Sequence, residues 1–152
     1  MKKLVIMAGL PGSGKSYVRA KEYPDFKAID CDEIKKNLEG YDPKNPGLVH
    51  EQSKILEQKE IYFTLGMGQS FVYDTTATNW AKLVKLIKDA KGIGYEVELC
   101  YVSVSLKTAL KRNASRERVV PQALIEEKYA LLPTSLEVLQ NYVDVYKVVN
   151  ND

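Results

Sequence analysis

The run Gly9-Leu10-Pro11-Gly12-Ser13-Gly14-Lys15-Ser16 meets the pattern G-x-x-x-x-G-K-[ST] at every position. Its glycines let the backbone curl until successive N–H groups face one point. A helix starting at the end of the run adds the partial positive charge of its first turn, and together they make a nest for a chain of phosphates. In such a P-loop the lysine, here Lys15, reaches the β and γ phosphates of a nucleoside triphosphate, while the hydroxyl of Ser16 holds Mg²⁺. Gly12, Ser13, Gly14, Lys15 and Ser16 are therefore the expected nucleotide-binding residues, with ATP and Mg²⁺ as cofactors. A Gly-rich turn that matches by chance is the alternative. It is disfavoured because a buried-type apolar run, Leu4–Ala8, precedes the motif and a helical pattern follows it, the context the mechanism needs.

Moving a phosphoryl group onto a hydroxyl calls for a carboxylate beside the acceptor, to take its proton and aim it in line with the γ-phosphate. The segment Ala28-Ile29-Asp30-Cys31-Asp32-Glu33-Ile34 supplies one, and Asp32 is the expected base. Two other readings stand beside it. Asp30 or Asp32 could cap a helix starting near Glu33, a use compatible with catalysis, or D-x-D could be the nucleophile pair of a phosphatase. The phosphatase reading leaves the P-loop unexplained and meets Ile34 where such motifs usually carry Thr or Val. A further carboxylate, Asp74, lies in Phe71-Val72-Tyr73-Asp74-Thr75-Thr76. It could hold Mg²⁺ through water or help to hold the acceptor, with Thr75 and Thr76 offering hydroxyls; capping the local turn is its plainer use.

Positive charge is densest between 107 and 118, where Lys107, Lys111, Arg112, Arg116 and Arg118 stand against the single acid Glu117. A mobile lid closing over ATP is expected here, within about 107–133, between a helix capped near Ser105 and one starting at Pro121. Arg116, in the lid turn, is the candidate to meet the transferred phosphoryl, a contact that contributes about 10³ to 10⁵ in rate where arginine fingers act. The plainer reading is a solvated basic face. The lone His50 falls in polar sequence and reads as a surface or capping residue on a loop.

Short apolar runs alternate with helical patterns, and they place these residues. Leu4–Ala8, Phe26–Asp30, Ser70–Tyr73, Tyr95–Val104 and Val143–Val149 read as strands rich in β-branched or aromatic residues. The clearest helix is capped by Asn79, puts Trp80, Leu83, Val84, Ile87 and Ala90 on one face and ends at Gly92, with Lys82, Lys85, Lys88 and Lys91 facing the other way. Alternation with long crossovers predicts an α/β doubly wound parallel sheet of five strands. Ligands sit at the carboxyl ends of such strands, so the residues after Ala8, Ile29 and Tyr73 should converge on one crevice.

Composition narrows the classes. A chain of 152 residues with 45% hydrophobic residues and a formal charge of +2 is too apolar for disorder and too balanced to mark a nucleic-acid binder by charge alone. Area scaling takes its surface from about 25,000 to about 8,000 Å² on folding, enough to bury a core without staples. Cys31 and Cys100 have no metal-like spacing, which points to a reduced, cytoplasmic setting. The start MKKLVIMAGL imitates a signal peptide only briefly, and no apolar stretch approaches the roughly 18 residues of a membrane span. An N-K-x-D base-reading motif is absent, which sets GTPases aside, and a large motor ATPase would need more chain.

GLPGSGKS after MKKLVIMA, AIDCDEIKKNL, VYDTTATN, and KRNASRERVVP followed by a helix together resemble, in order and over nearly the whole chain, the kinase domain of the bacteriophage polynucleotide 5′-hydroxyl kinase family. The resemblance implies an adenylate-kinase-like P-loop fold and γ-phosphoryl transfer from ATP to the 5′-hydroxyl of DNA or RNA, in a bacterial or phage-infected cell. It implies Lys15 and Ser16 on the phosphates and Mg²⁺, Asp32 as base and Arg116 as the lid arginine. Tyr17 and Arg112 join the nucleotide side, and Val120 the acceptor side. Where the family has an arginine three residues after the base, gripping the phosphate next to the acceptor hydroxyl, this chain has Lys35, which keeps the charge without the bidentate fork. Cys31 stands where the family has a basic residue, and the DTTATN turn is longer by a residue. The expectation is one kinase domain over 1–152 without the phosphatase that follows in the phage enzyme. Small-molecule P-loop kinases, including the zeta-toxin group and antibiotic or sugar kinases, share the base, loop and lid arginine and are the rival reading. A regulatory module that binds ATP without transferring it is the third.

Overall fold

Leu4, Val5, Ile6, Met7 and Ala8 are all fully inaccessible, as a continuous apolar run placed at the centre of a covered sheet must be. They form β1 (Lys3–Ala8), which pairs in parallel with β3 (Phe71–Asp74) on one side and β4 (Glu96–Ser103) on the other. β2 (Lys27–Asp30) extends the sheet beyond β3, and β5 (Val145–Asn150) extends it beyond β4, giving the all-parallel order β2-β3-β1-β4-β5. These five strands are the ones the sequence predicts, with ends displaced by no more than two residues. The computed structural model describes residues 2–116 and 119–152; Glu117 and Arg118 of the basic stretch lie outside the described residues.

Helices fill the crossovers: α1 (Lys15–Glu22), α2 (Cys31–Lys36), α3 (His50–Gly66) behind a 3₁₀ turn at Pro46–Val49, α4 (Trp80–Gly92), α5 (Leu106–Ala114) and α6 (Gln122–Gln140). The period-2 geometry of β1 splits the interior in two. Leu4, Ile6 and Ala8 face a large core with residues of α3, α4, α5 and α6, whereas Val5 and Met7 face a smaller one with Val18 of α1. The folded surface is 8133 Å², close to the area expected for this mass.

α4 is capped as expected, the Asn79 side chain accepting from the Lys82 N–H at 3.4 Å. Its buried face is Leu83, Leu86, Ile87 and Ala90; Trp80, expected on that face, is 45% exposed because the first turn projects past the core. Lys85, Lys88 and Lys91 of the outward face have partners. Lys85 pairs with Asp89 at 2.8 Å, Lys91 with Asp144 at 3.3 Å, and Lys88 lies over the Tyr142 ring.

The segment 107–133, where a lid is expected, includes residues that are buried in the core. Ala109 of α5 and Ile125 and Leu132 of α6 are buried in the large core, so both helices pack on the scaffold in this structure. Ile125→Ala should therefore cost about 2–5 kcal/mol in urea-induced unfolding, the usual loss for a large-to-small core change. A cost near zero would mean that α6 swings free of the core.

Candidate functional site

At the carboxyl ends of β1, β2 and β3 lies a crevice of about 900 Å³. Its first wall is the P-loop. Gly12 and Gly14 hold φ of +86° and +88°, which residues with a Cβ rarely adopt, and a Cβ on Gly12 would lie 2.7 Å from the Ala109 carbonyl oxygen. Left-handed Gly14 caps α1, so Lys15 and Ser16 open the helix and both line the crevice with Gly12 and Gly14. Lys15 Nζ donates to the carbonyls of Gly9 (2.8 Å) and Leu10 (3.3 Å) and lies 3.9 Å from Asp74 Oδ1. Two residues expected on the nucleotide are placed differently. Ser13 is fully buried, its Oγ without a hydrogen-bond partner among the described residues, which leaves only its backbone to the loop. Tyr17 is 66% exposed and is not among the lining residues, since its position on α1 turns outward.

The second wall holds the carboxylates. Asp30 caps α2, its Oδ1 accepting from the Asp32 N–H at 2.9 Å, so the capping use belongs to Asp30 and the neighbouring Asp32 lines the crevice. Parallel register sets Asp30 beside Asp74. Arg19, which the sequence reading passed over, donates from one nitrogen to both, at 3.0 Å to Asp74 and 3.4 Å to Asp30. Burial, with Asp30 and Asp32 acting in the same sense and Lys15 and Arg19 opposing, pushes the Asp74 carboxyl up to about 6. Arg19 stands one helical turn after Lys15, so the two share a face of α1, and that spacing was the available clue.

The far end is strongly cationic. Lys35 is only 8% exposed, and it lines the crevice together with Lys54, Lys128, His50, Thr75 and Thr76. Lys54 pairs with Glu57 (3.4 Å), a fully buried carboxylate that also accepts from the Tyr73 hydroxyl at 2.7 Å. Lys128 Nζ lies 3.5 Å from Thr76 Oγ1, and burial followed by the neighbouring Lys54 holds its ammonium below the usual range. His50 is corrected from a loop residue to the first residue of α3, at the crevice edge. Burial, then Lys35, Lys54 and Lys128, lowers its basicity.

The roof comes from the connection between α5 and α6. Arg116 and Val120 line the crevice. Asn113, 5% exposed, clamps Val120 through both ends of its amide, Nδ2 donating to the carbonyl (2.7 Å) and Oδ1 accepting from the N–H (3.0 Å). The Val119 N–H donates to the Pro43 carbonyl at 3.2 Å, joining this connection to the loop before α3. Arg112 also lines the crevice, but its guanidinium is spent on backbone: Gly12 and Ser13 carbonyls at 3.4 Å each and Asn151 at 2.8 Å. Asn113 and Asn151 are further residues the sequence reading missed. No group of three or more metal-ligating side chains is found among the described residues. One hydroxyl and one carboxylate, Ser16 and Asp74, nevertheless suit Mg²⁺, which takes hard oxygens and keeps waters and phosphates as its other ligands.

The family model for zeta toxins matches residues 1–152. Among solved structures, the AvrRxo1-ORF1:AvrRxo1-ORF2 complex with sulphate ions superposes with a TM-score of 0.83 at 18% identity, covering 99% of this chain and 55% of that one. The Pnkp1/Rnl/Hen1 RNA repair complex gives 0.64 at 16% identity, over 90% of this chain and 46% of that one. Shikimate kinase from Acinetobacter baumannii in complex with shikimate gives 0.58 at 17%, over 100% and 86%. This chain thus spans about half the length of the first two, and at these identities the likeness is one of fold, the α/β fold of P-loop kinases. No curated protein sequence matches it. Matched by the family model from its first residue to its last, the chain belongs to the zeta toxin family.

Proposed function

We propose that this protein is an ATP-dependent kinase whose acceptor is a hydroxyl on a small anionic molecule held inside the crevice. The observation that carries the reading is the gathering of cations in one part of the crevice: the nearly buried Lys35 lines it together with Lys54 and Lys128, and the Val119–Pro43 hydrogen bond joins the two connections that border it. Like charges gathered away from water are costly unless an anion balances them. A volume of about 900 Å³ lies near the top of the ~300–1,000 Å³ usual for ligand pockets, which suits a nucleotide and a compact acceptor together.

In this reading the P-loop amides and Lys15 hold the β and γ phosphates, and Ser16 and Asp74 are the Mg²⁺ side chains. Bound Mg²⁺ would neutralise charge on the phosphate oxygens. The acceptor oxygen attacks the γ-phosphorus, the bond from that phosphorus to the β–γ bridging oxygen breaks, ADP leaves, and Asp32 takes the acceptor's proton. Arg116 approaches the transferred group from the roof. Arg19 keeps Asp30 and Asp74 in place, Asp30 fixes the start of α2, and α2 carries Asp32 and Lys35.

A 5′-hydroxyl polynucleotide end is the second reading, favoured by the likeness to the RNA repair complex and by exposed Lys107 and Lys111 on α5. The lysine stripe of α4 adds little to it, because Lys85, Lys88 and Lys91 are engaged locally. An ATP-binding module without transfer is the reading that remains if no acceptor is found.

Asp32→Asn should keep ATP binding and lower transfer about 10² to 10⁴-fold. Since Asp30 is the cap, α2 should stay folded in this variant by circular dichroism, and near-wild-type turnover would remove Asp32 as base. Labelled γ-phosphate transfer should be compared across phosphorylated sugars, nucleotides, neutral sugars, nucleosides, and 5′-hydroxyl DNA and RNA, at low and high salt. Label is expected on small anionic acceptors with little salt dependence, whereas a polynucleotide held through several phosphates would lose affinity steeply as salt rises. Label confined to polynucleotides would overturn the small-acceptor reading. Lys35→Met should raise the acceptor KM about 10-fold or more, the scale of a lost charge-assisted hydrogen bond, and leave the ATP KM in place.

A further inference from the structure

The residues that turn the P-loop's amides inward lie outside the motif. A peptide unit is planar and trans, so its C=O and N–H point in opposite directions. An N–H can face a phosphate only if the carbonyl of the same unit faces away and finds a partner there, since a buried carbonyl without one is costly. For the unit joining Ser13 to Gly14 that partner is visible. The Ser13 carbonyl accepts from Asn151 Nδ2 at 2.8 Å and from an Arg112 nitrogen at 3.4 Å.

Asn151 is itself fixed. It follows β5, its N–H donates at 2.9 Å to the carbonyl of Ser103, the last residue of β4, and its own carbonyl accepts from Arg112 at 2.8 Å. The amide packs so closely on Gly14 that a Cβ there would collide with Nδ2. Two strands and α5 thus converge on the outer side of one peptide unit. From this we infer that Asn151 is a positioning residue for the nucleotide site: its side-chain N–H holds the Ser13 carbonyl outward and so presents the Gly14 N–H to the phosphates. Arg112 shares that task, which reassigns it from nucleotide contact to support of the loop.

The inference rests on nucleotide binding in the proposed function and is independent of the acceptor. Asn151→Asp keeps the shape but sets an oxygen against the Ser13 carbonyl, whereas Asn151→Ala removes the donor without adding repulsion. ATP titration in the presence of Mg²⁺ should show Kd rising about tenfold or more in the Asp variant and less in the Ala variant, the scale of a lost buried hydrogen bond. With ATP bound, the Gly14 amide should exchange faster in both, while the acceptor KM stays near wild type. A wild-type ATP Kd in Asn151→Asp would overturn the inference and leave the kinase reading intact. Equal losses in ATP affinity and acceptor KM would reduce Asn151 to general structural support and overturn it as well. Wild-type protein that binds neither ATP nor GTP would overturn the functional reading and this inference with it.

Discussion

Two carboxylates set side by side by parallel register govern the geometry of this protein. Asp30 ends β2, Asp74 ends β3, and the pairing of those strands places one directly beside the other, both nearly buried. Such a pair repels itself and resists ionisation unless a cation lies between. Arg19 is that cation, and because it rides on α1 directly after the P-loop, the bridge also ties the phosphate nest to both strand ends. Asp30 then has an oxygen left to cap α2, and the cap sets where Asp32 and Lys35 stand. The P-loop helix, Asp74 and, through the Asp30 cap, the start of α2 with Asp32 are positioned through one guanidinium.

How much of this could be read in advance follows from the range of each interaction. The P-loop is contiguous, and its context of apolar run and helix is local, so its residues and β1 were legible. So was the Asn79 cap, which reaches only to Lys82. For Arg19 the spacing from Lys15 shows the face but not the partners, which are far along the chain, and the partner of Asn113 lies in a connection without periodic pattern. Asn151 could have been found: the rule that ligands gather at the carboxyl ends of parallel strands applies to all five strands, and extending it past β3 reaches the residues just after β5. Trp80 shows the limit of periodicity, which places a residue on a face but not at a height along the core. The segment 107–133 meets the same limit. A basic stretch says nothing of what Ala109 and Ile125 bury on the opposite face of their helices.

The acceptor end uses burial in a second way. Glu57 of α3 is wholly inaccessible, and its Oε2 has no hydrogen-bond partner among the described residues, yet it is not stranded. Tyr73 and Lys54 both approach Oε1, and burial together with this carboxylate raises the Tyr73 hydroxyl far above its usual range, so it remains a donor. Tyr73 precedes Asp74 in β3, so the network that anchors Lys54 is built on the strand that also carries the Arg19-bound carboxylate. A shift in either network would be felt in the other through that strand.

Seen this way, the modest formal charge of +2 hides a strong separation. Asp30 and Asp74 at the strand ends are consumed by Arg19 and Glu57 of α3 by Lys54, while Asp144 and Asp89 answer lysines of α4 on the outer surface. Lys15, Lys35, Lys128 and Arg116 all line the crevice, and no carboxylate is found paired with Lys35, Lys128 or Arg116 among the described residues. A net charge summed over the chain cancels these surplus cations against acids that sit elsewhere. The field inside the crevice is set by local imbalance, and that imbalance favours anions at both of its ends.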